Sequence, residues 1–153
     1  MEKKIYFRYA NLEDAKFLYN LRNEDSVRAV SFNTDKVSFE DHLTWLDKSI
    51  KNPNRVLFVI LNPELAPIGQ VRFDKTNNFA EISVSLSQQF RGKGFGKLSL
   101  VNSCQLFFNN YGIDYIVAKI KKDNISSIAA FEKSGFTMIK ELSGFVKLEL
   151  RRD

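Results

Sequence analysis

Between Arg91 and Lys97 the chain reads RGKGFGK, three glycines and three cations in seven residues. Glycine permits positive φ and close approach of a ligand to the backbone, and lysine and arginine attract anions, so the chemistry indicated is phosphate binding. The strand-like AEISVSL before the loop and the helix-like KLSLVNSCQLFFNNYG after it would aim helix-start N–H groups at whatever the loop encloses. Each charge-assisted contact is worth about 1.5 to 3 kcal/mol, so several together hold a pyrophosphate without a metal. Lys93 and Lys97 add attraction over distance more than geometry. Two familiar phosphate loops do not fit. The P-loop pattern fails because Lys97 is followed by Leu98, and the dinucleotide fingerprint fails because Lys97 stands where the third glycine belongs. A glycine-rich turn with solvated lysines is the competing reading.

The elements that must position this loop come from a chain of 153 residues, a length expected to form one domain over 1–153 with its own core. Hydrophobic residues make up 44%, which excludes extended disorder. Cys104 is the only cysteine, so a disulfide framework or a multi-cysteine zinc site is excluded, and no metal is expected. Twenty-three Lys and Arg against 18 Asp and Glu give a net +5, compatible with a polyanionic small ligand, an acidic membrane surface or nucleic acid. The basic stretches lack interleaved exposed aromatics of the stacking type, which argues against nucleic acid. No run of 18 apolar residues occurs, and MEKKIYFRYA is charged first and then alternating, so a cytoplasmic location away from membrane is expected.

Periodicity predicts a first strand in KIYFRYA, then a helix capped by Asn11 with Leu12, Phe17, Leu18 and Leu21 on its apolar side. A second helix starts at Ser38, with Phe39, Leu43, Leu46 and Ile50 as its stripe. RVLFVIL, PIGQVRFD and AEISVSL form an antiparallel meander. The glycine loop opens the next helix, which would end on a left-handed Gly112. DYIVAKI, a helix over 126–134, FTMIKEL and FVKLELR complete the order. The expected fold is α/β: a mixed, mostly antiparallel sheet of about seven strands flanked by about four helices.

Gln89, Gly92 and Gly94 match QxxGxG, and NISSIAAFEKSGF places an aromatic, Phe131, seven residues after Asn124 and closes on Gly135-Phe136. These two motifs, in this order of strands and helices, resemble the GNAT superfamily of acetyl-CoA-dependent N-acetyltransferases over nearly the whole chain. The resemblance implies that acetyl-CoA is the acetyl donor, with Gln89, Arg91, Gly92, Lys93, Gly94, Phe95, Gly96 and Lys97 around its pyrophosphate. It also implies a splay between the fourth and fifth strands that admits the pantetheine arm beside Leu86, and a cofactor contact from Asn124. Asn124 reads equally well as an ordinary helix N-cap. Phe131 departs from the family pattern, because the usual tyrosine there can protonate the departing sulfur and a phenyl ring cannot.

Alternation places Glu81 with Ser83 and Ser85, opposite Ile82, Val84 and Leu86, and makes it the candidate base; a solvent-facing glutamate is the alternative. The resemblance implies that an oxyanion donor lies on the backbone near Val84 to Leu86. LRNEDSVRAVSF, SFEDHLTWL and GQVRFD resemble the GNAT subgroup that acetylates nucleotide-linked amino sugars of the pseudaminic acid type. On that resemblance Arg22 and His42 are acceptor-site candidates, and His42 is also a candidate base. A surface ion pair for Arg22, an interfacial His42 and a core Trp45 are the plainer readings. The expected partner is a small-molecule amine. A protein N-terminus as acceptor, or a non-catalytic acyl-CoA- or RNA-binding module, are the other classes.

Overall fold

Asn11 caps the first helical segment as its position predicts. Its side chain accepts from the Glu13 N–H, and Asp14 accepts from the Asn11 N–H at 2.9 Å, which closes a capping box. Asp14 also receives both guanidinium nitrogens of Arg8, at 2.8 and 2.7 Å. Burial opposes the Asp14 charge, but Arg8 and the Asn11 amide outweigh it and hold its carboxyl below the ordinary value. The stability this group lends is therefore present above about pH 4 and is lost as pH falls through its lowered folded-state value. Asp14→Asn should flatten the acid limb of a thermal-melt series. An unchanged limb would mean that the pair contributes nothing to acid stability.

The computed structural model describes residues 4–153; the first three residues of the expected 1–153 span, and with them the start of MEKKIYFRYA, lie outside the described residues. After strand β1, Tyr6–Tyr9, come helices α1, Ala15–Asn23, α2, Asp25–Val30, and α3, Phe39–Lys51. Strands β2, Arg55–Leu61, β3, Pro67–Thr76, and β4, Phe79–Leu86, form the meander. Helix α4, Phe95–Asn110, follows the glycine loop, and strand β5, Tyr115–Lys121, helix α5, Ile125–Lys133, and strands β6, Thr137–Glu141, and β7, Phe145–Arg151, complete the chain. The strands make one sheet in the order β1-β2-β3-β4-β5-β7-β6. Of these neighbours only β4 and β5 are parallel.

β2 shows why both faces need cover. Val56, Phe58 and Ile60 enter the larger core with Phe73, Phe107 and Leu148, whereas Leu57, Val59 and Leu61 meet Ala15, Leu18 and Leu46 from α1 and α3. A strand buried on both sides reads as the unbroken apolar run RVLFVIL. Phe73 of β3 stacks on Phe107 of α4 at 4.1 Å, anchoring α4 to the sheet. No helix among the described residues is long and apolar enough to cross a membrane.

Three details differ from the sequence expectation. The described residues form five α-helices, because Glu24 leaves helical geometry at ψ 136° and starts α2 as a separate turn. Helix α3 buries His42, Leu46 and Ser49, while Phe39, Leu43 and Ile50 of the expected stripe are exposed. On the buried face Ser49 accepts from Arg55 Nη1 of β2 at 2.9 Å, and Leu46 packs with Leu57 and Val59. Gly112 is not left-handed; α4 ends at Tyr111 in extended geometry.

Candidate active site

The sheet opens where the parallel pair ends. β4 and β5 pair only from Phe79 with Tyr115 to Glu81 with Val117, although β4 continues to Leu86 and β5 to Lys121. Beyond Glu81 the backbone edges of the two strands therefore face a gap, a geometry that accepts an extended polar chain. The expected splay is present. A cavity of about 770 Å³ runs from the glycine loop through this gap to the helices over the other face.

At the loop end, Gly92 and Gly94 take φ of 72° and 86°. Gly94 is the N-cap of α4 and no side chain among the described residues caps this helix, so the amides of Gly96 and Lys97 in its first turn are open to an anion. Space is available too: a Cβ on Gly92 would meet nothing within 4 Å. These features fit the diphosphate of coenzyme A. Arg91, Gly92 and Gly96 line the cavity with Leu86, whereas Gln89, Lys93, Gly94, Phe95 and Lys97 lie outside its wall on the same turn. The Arg91 Nε donates to the Leu86 carbonyl at 3.2 Å, so this cation ties the loop to the end of β4.

One tie across the fold had no signal in the sequence. Glu24, between α1 and α2, accepts from the Ser87 hydroxyl at 2.8 Å and from the Gln88 amide at 2.9 Å. The carboxylate joins the helices over one face to the start of the phosphate loop, 63 and 64 residues away.

Asn124 caps α5 by accepting from the Ser127 amide at 3.3 Å, and its side chain also lies on the cavity wall. Phe131 lines the cavity as well, its ring edge-on to Phe136 at 5.0 Å. Ser126 and Ser127 sit beside it on the wall.

Glu81 is the last β4 residue paired with β5. Its carboxylate meets Lys119 Nζ at 3.2 Å across the two strands. Ile82 and Leu86 point instead into the core under α4, as alternation predicts. Arg22 makes no ion pair among the described residues; its Nη2 donates to the Asn33 carbonyl at 2.9 Å. His42 is buried at 7% exposure, between the Tyr19 and Trp45 rings. Burial first, and then the Arg22 charge, lower its pKa, so the imidazole is neutral at pH 7. Trp45 is half-buried and packs against the core cluster of Leu18, Leu46 and Val59, with the Arg55 and Arg72 guanidinium groups over its ring at 5.7 and 5.8 Å.

Gln70 and Arg72 complete this wall; the sequence singled out their strand, GQVRFD, through the subgroup resemblance but not these two residues. Their cross-strand partners are Ser85 and Ser83, which fixes them on the Glu81 face of the sheet. No group of three or more His, Cys, Asp or Glu side chains that could hold a metal ion occurs among the described residues.

Known proteins match this arrangement. Residues 4–137 fit the family model described as an acetyltransferase (GNAT) domain. The spermidine N(1)-acetyltransferase of Vibrio cholerae is 22% identical over 139 residues, covering 89% of this chain and 80% of that protein. Acetyltransferase PseH of Campylobacter jejuni is also 22% identical, over 99% of this chain and 95% of its own length. In three dimensions the crystal structure of the Vibrio cholerae spermidine N-acetyltransferase, in complex with CoA and spermine, superposes with a TM-score of 0.88 at 18% identity, covering 96% of this chain and 95% of that one. With the parted strands, the uncapped glycine turn and a family match across most of its length, the chain belongs to the GNAT acetyltransferase family and is an N-acetyltransferase whose donor is acetyl-CoA.

Proposed function

We propose that the acceptor is the primary amine of an amino sugar, free or nucleotide-linked. The observation that carries this reading is the state of three residues on the acceptor side of the cavity. Arg22 Nη1, His42 Nδ1 and Gln70 Oε1 are each buried without a hydrogen-bond partner among the described residues. An unmade hydrogen bond of this kind costs about 1 to 3 kcal/mol, and a hydroxyl-rich acceptor supplies both donors and acceptors to relieve it. Trp45 lines the cavity beside them. The charge balance supports the same reading. The cavity wall carries Arg22, Arg72, Arg91 and Lys119 against Asp41 and Glu81; Lys119 pairs with Glu81 and Arg72 with Asp74, which leaves Arg22 and Arg91 against Asp41, so a polyamine would meet a small excess of positive charge. The likeness of the Arg22 and His42 segments to the amino-sugar subgroup supports it independently.

In the transfer the amine nitrogen attacks the thioester carbonyl carbon, the C–N bond forms, and the C–S bond breaks. Coenzyme A's diphosphate lies on the turn from Gln89 to Lys97, and its pantetheine arm enters beside Leu86, Asn124 and Phe131. Backbone N–H groups of the parted β4 end, near Val84 to Leu86, stabilise the oxyanion. Glu81 takes the amine proton, directly or through water, and neutral His42 holds the acceptor or serves as that base. Water, or a hydroxyl of Ser126 or Ser127, protonates the departing thiolate, because Phe131 has no proton to give.

Phe131→Tyr tests that last step. Its hydroxyl would enter the cavity beside Ser126 and Ser127, and kcat should stay level or rise by about twofold to fivefold, with the acetyl-CoA KM unchanged. A loss of about tenfold would show that the ring only packs there and leaves no space for a hydroxyl.

The proposed function is tested by release of free thiol from acetyl-CoA against a panel of amino sugars, nucleotide-linked amino sugars, spermidine and short peptides. Turnover of the sugars is expected. Turnover of peptides or spermidine alone would overturn the sugar assignment.

A further inference from the structure

Three lysines stand in register across three strands. Lys119 of β5 is directly opposite Lys147 of β7, and Lys147 is directly opposite Lys140 of β6. Residues directly opposite one another share a face, and at the strand spacing of about 4.8 Å the row reaches about 10 Å from Lys119 to Lys140. This is the Glu81 face, because Lys119 bonds the Glu81 carboxylate. Like charges directly opposite destabilise a sheet. Lys119 is compensated by Glu81, but neither Lys147 nor Lys140 has a carboxylate within 4 Å among the described residues. Lysines on an edge strand guard against aggregation, which accounts for Lys140 on β6 but not for the half-buried Lys147 on the inner strand. Beside the row, Phe32 is 60% exposed and its ring is edge-on to Phe145 at 5.7 Å. Phe145 stands two residues before Lys147 and so lies on the same face.

We infer that the Lys119–Lys147–Lys140 row binds a phosphate group carried by the acceptor, with the amine held at the β4–β5 gap and the phosphate displaced sideways along the sheet. This rests on the amino-sugar reading and narrows it to phosphate-bearing acceptors. Lys119 is the hinge of the arrangement, since it lines the cavity and begins the row. Lysine suits such a row because its ammonium is a flexible point charge, and three of them follow an anion without fixed bidentate geometry. An anion there also relieves the repulsion between Lys147 and Lys140, which adds to the gain on binding.

The test uses the full chain saturated with coenzyme A, so that the glycine turn is already filled. Calorimetric titration with inorganic pyrophosphate and, separately, with UDP should show binding to the wild type in low salt. The Lys140→Ala/Lys147→Ala variant should bind both at least about tenfold more weakly, with its affinity for acetyl-CoA unchanged. Equal binding of the two probes would assign the site to phosphate alone; tighter UDP binding would bring the Phe32 and Phe145 edge into it, and either supports the inference. Failure of the loaded wild type to bind either probe, or equal binding by the variant, overturns it. Kinetics separate this failure from failure of the function itself. Free amino sugars turned over as well as their phosphorylated forms would overturn the row's role and leave the amino-sugar activity standing. Absence of thiol release with every amine, while the probes still bind through the lysines, would do the reverse.

Discussion

Gly94→Val should raise the KM for acetyl-CoA by about 100-fold or more, with kcat at saturation much less affected. Gly94 is the left-handed N-cap of α4 at φ 86°, a conformation that costs a β-branched residue about 1 to 3 kcal/mol. A valine relieves that strain by moving the turn, and the first-turn amides then lose their common aim. Each lost amide–phosphate contact is worth about 1.5 to 3 kcal/mol, so one or two account for the effect. The core under α4 rests on Leu100, Cys104 and Phe107, not on the cap, so the circular dichroism spectrum should stay native. Gly112→Ala is the control. That glycine is not left-handed and has open space around it, so kinetics and melting temperature should both match the wild type. Wild-type affinity for acetyl-CoA in Gly94→Val would show that the turn does not hold the diphosphate.

The second large effect comes from Gly69, on β3 opposite Leu86. A Cβ there would sit 2.3 Å from the Ser85 carbonyl oxygen and 2.9 Å from a Leu86 methyl group. The first contact is with backbone, so no rotamer change relieves it and β4 itself must move. Overpacking of this kind costs about 1 to 3 kcal/mol, which lowers the melting point of Gly69→Ala by about 3 to 10 °C. Activity should suffer as well, because the displaced residues are those at the open end of β4. A shift of about 1 Å at a reacting centre costs up to about 100-fold, so a kcat loss of at least about tenfold is expected in protein that is still folded at the assay temperature. A variant that melts lower yet keeps full kcat would place the acetyl group away from Ser85 and Leu86.

The two glycines also show how unevenly the site could be read in advance. Gly94 lies within a local pattern of glycines and cations between a strand and a helix, where chemistry and geometry coincide. Gly69 lies within GQVRFD, where nothing local says that its missing side chain makes room for a neighbouring strand's carbonyl. Arg22 and His42 occupy an intermediate position. Sequence resemblance nominated them, but only the fold brings their unpartnered nitrogens to the same cavity as Gln70. The stripe on α3 misled because period alone identifies an apolar face, whereas the buried residues there are His42 and Ser49 as well as Leu46.

What the sequence by itself determined was whatever depends on short-range order. That includes the strands, the helix caps at Asn11 and Ser38, the alternation that puts Glu81 opposite Ile82, and the glycine turn. Each follows from neighbours within a few residues, where periodicity and turn chemistry act. Only the tertiary structure decided where these parts meet. Glu24 reaches the phosphate loop, Lys119 reaches Glu81, Arg91 turns back onto Leu86, and three lysines from three strands fall into one row. Those pairings depend on strand order and register, which are set by two cores packing on opposite faces of one sheet, and no local pattern along the chain encodes them.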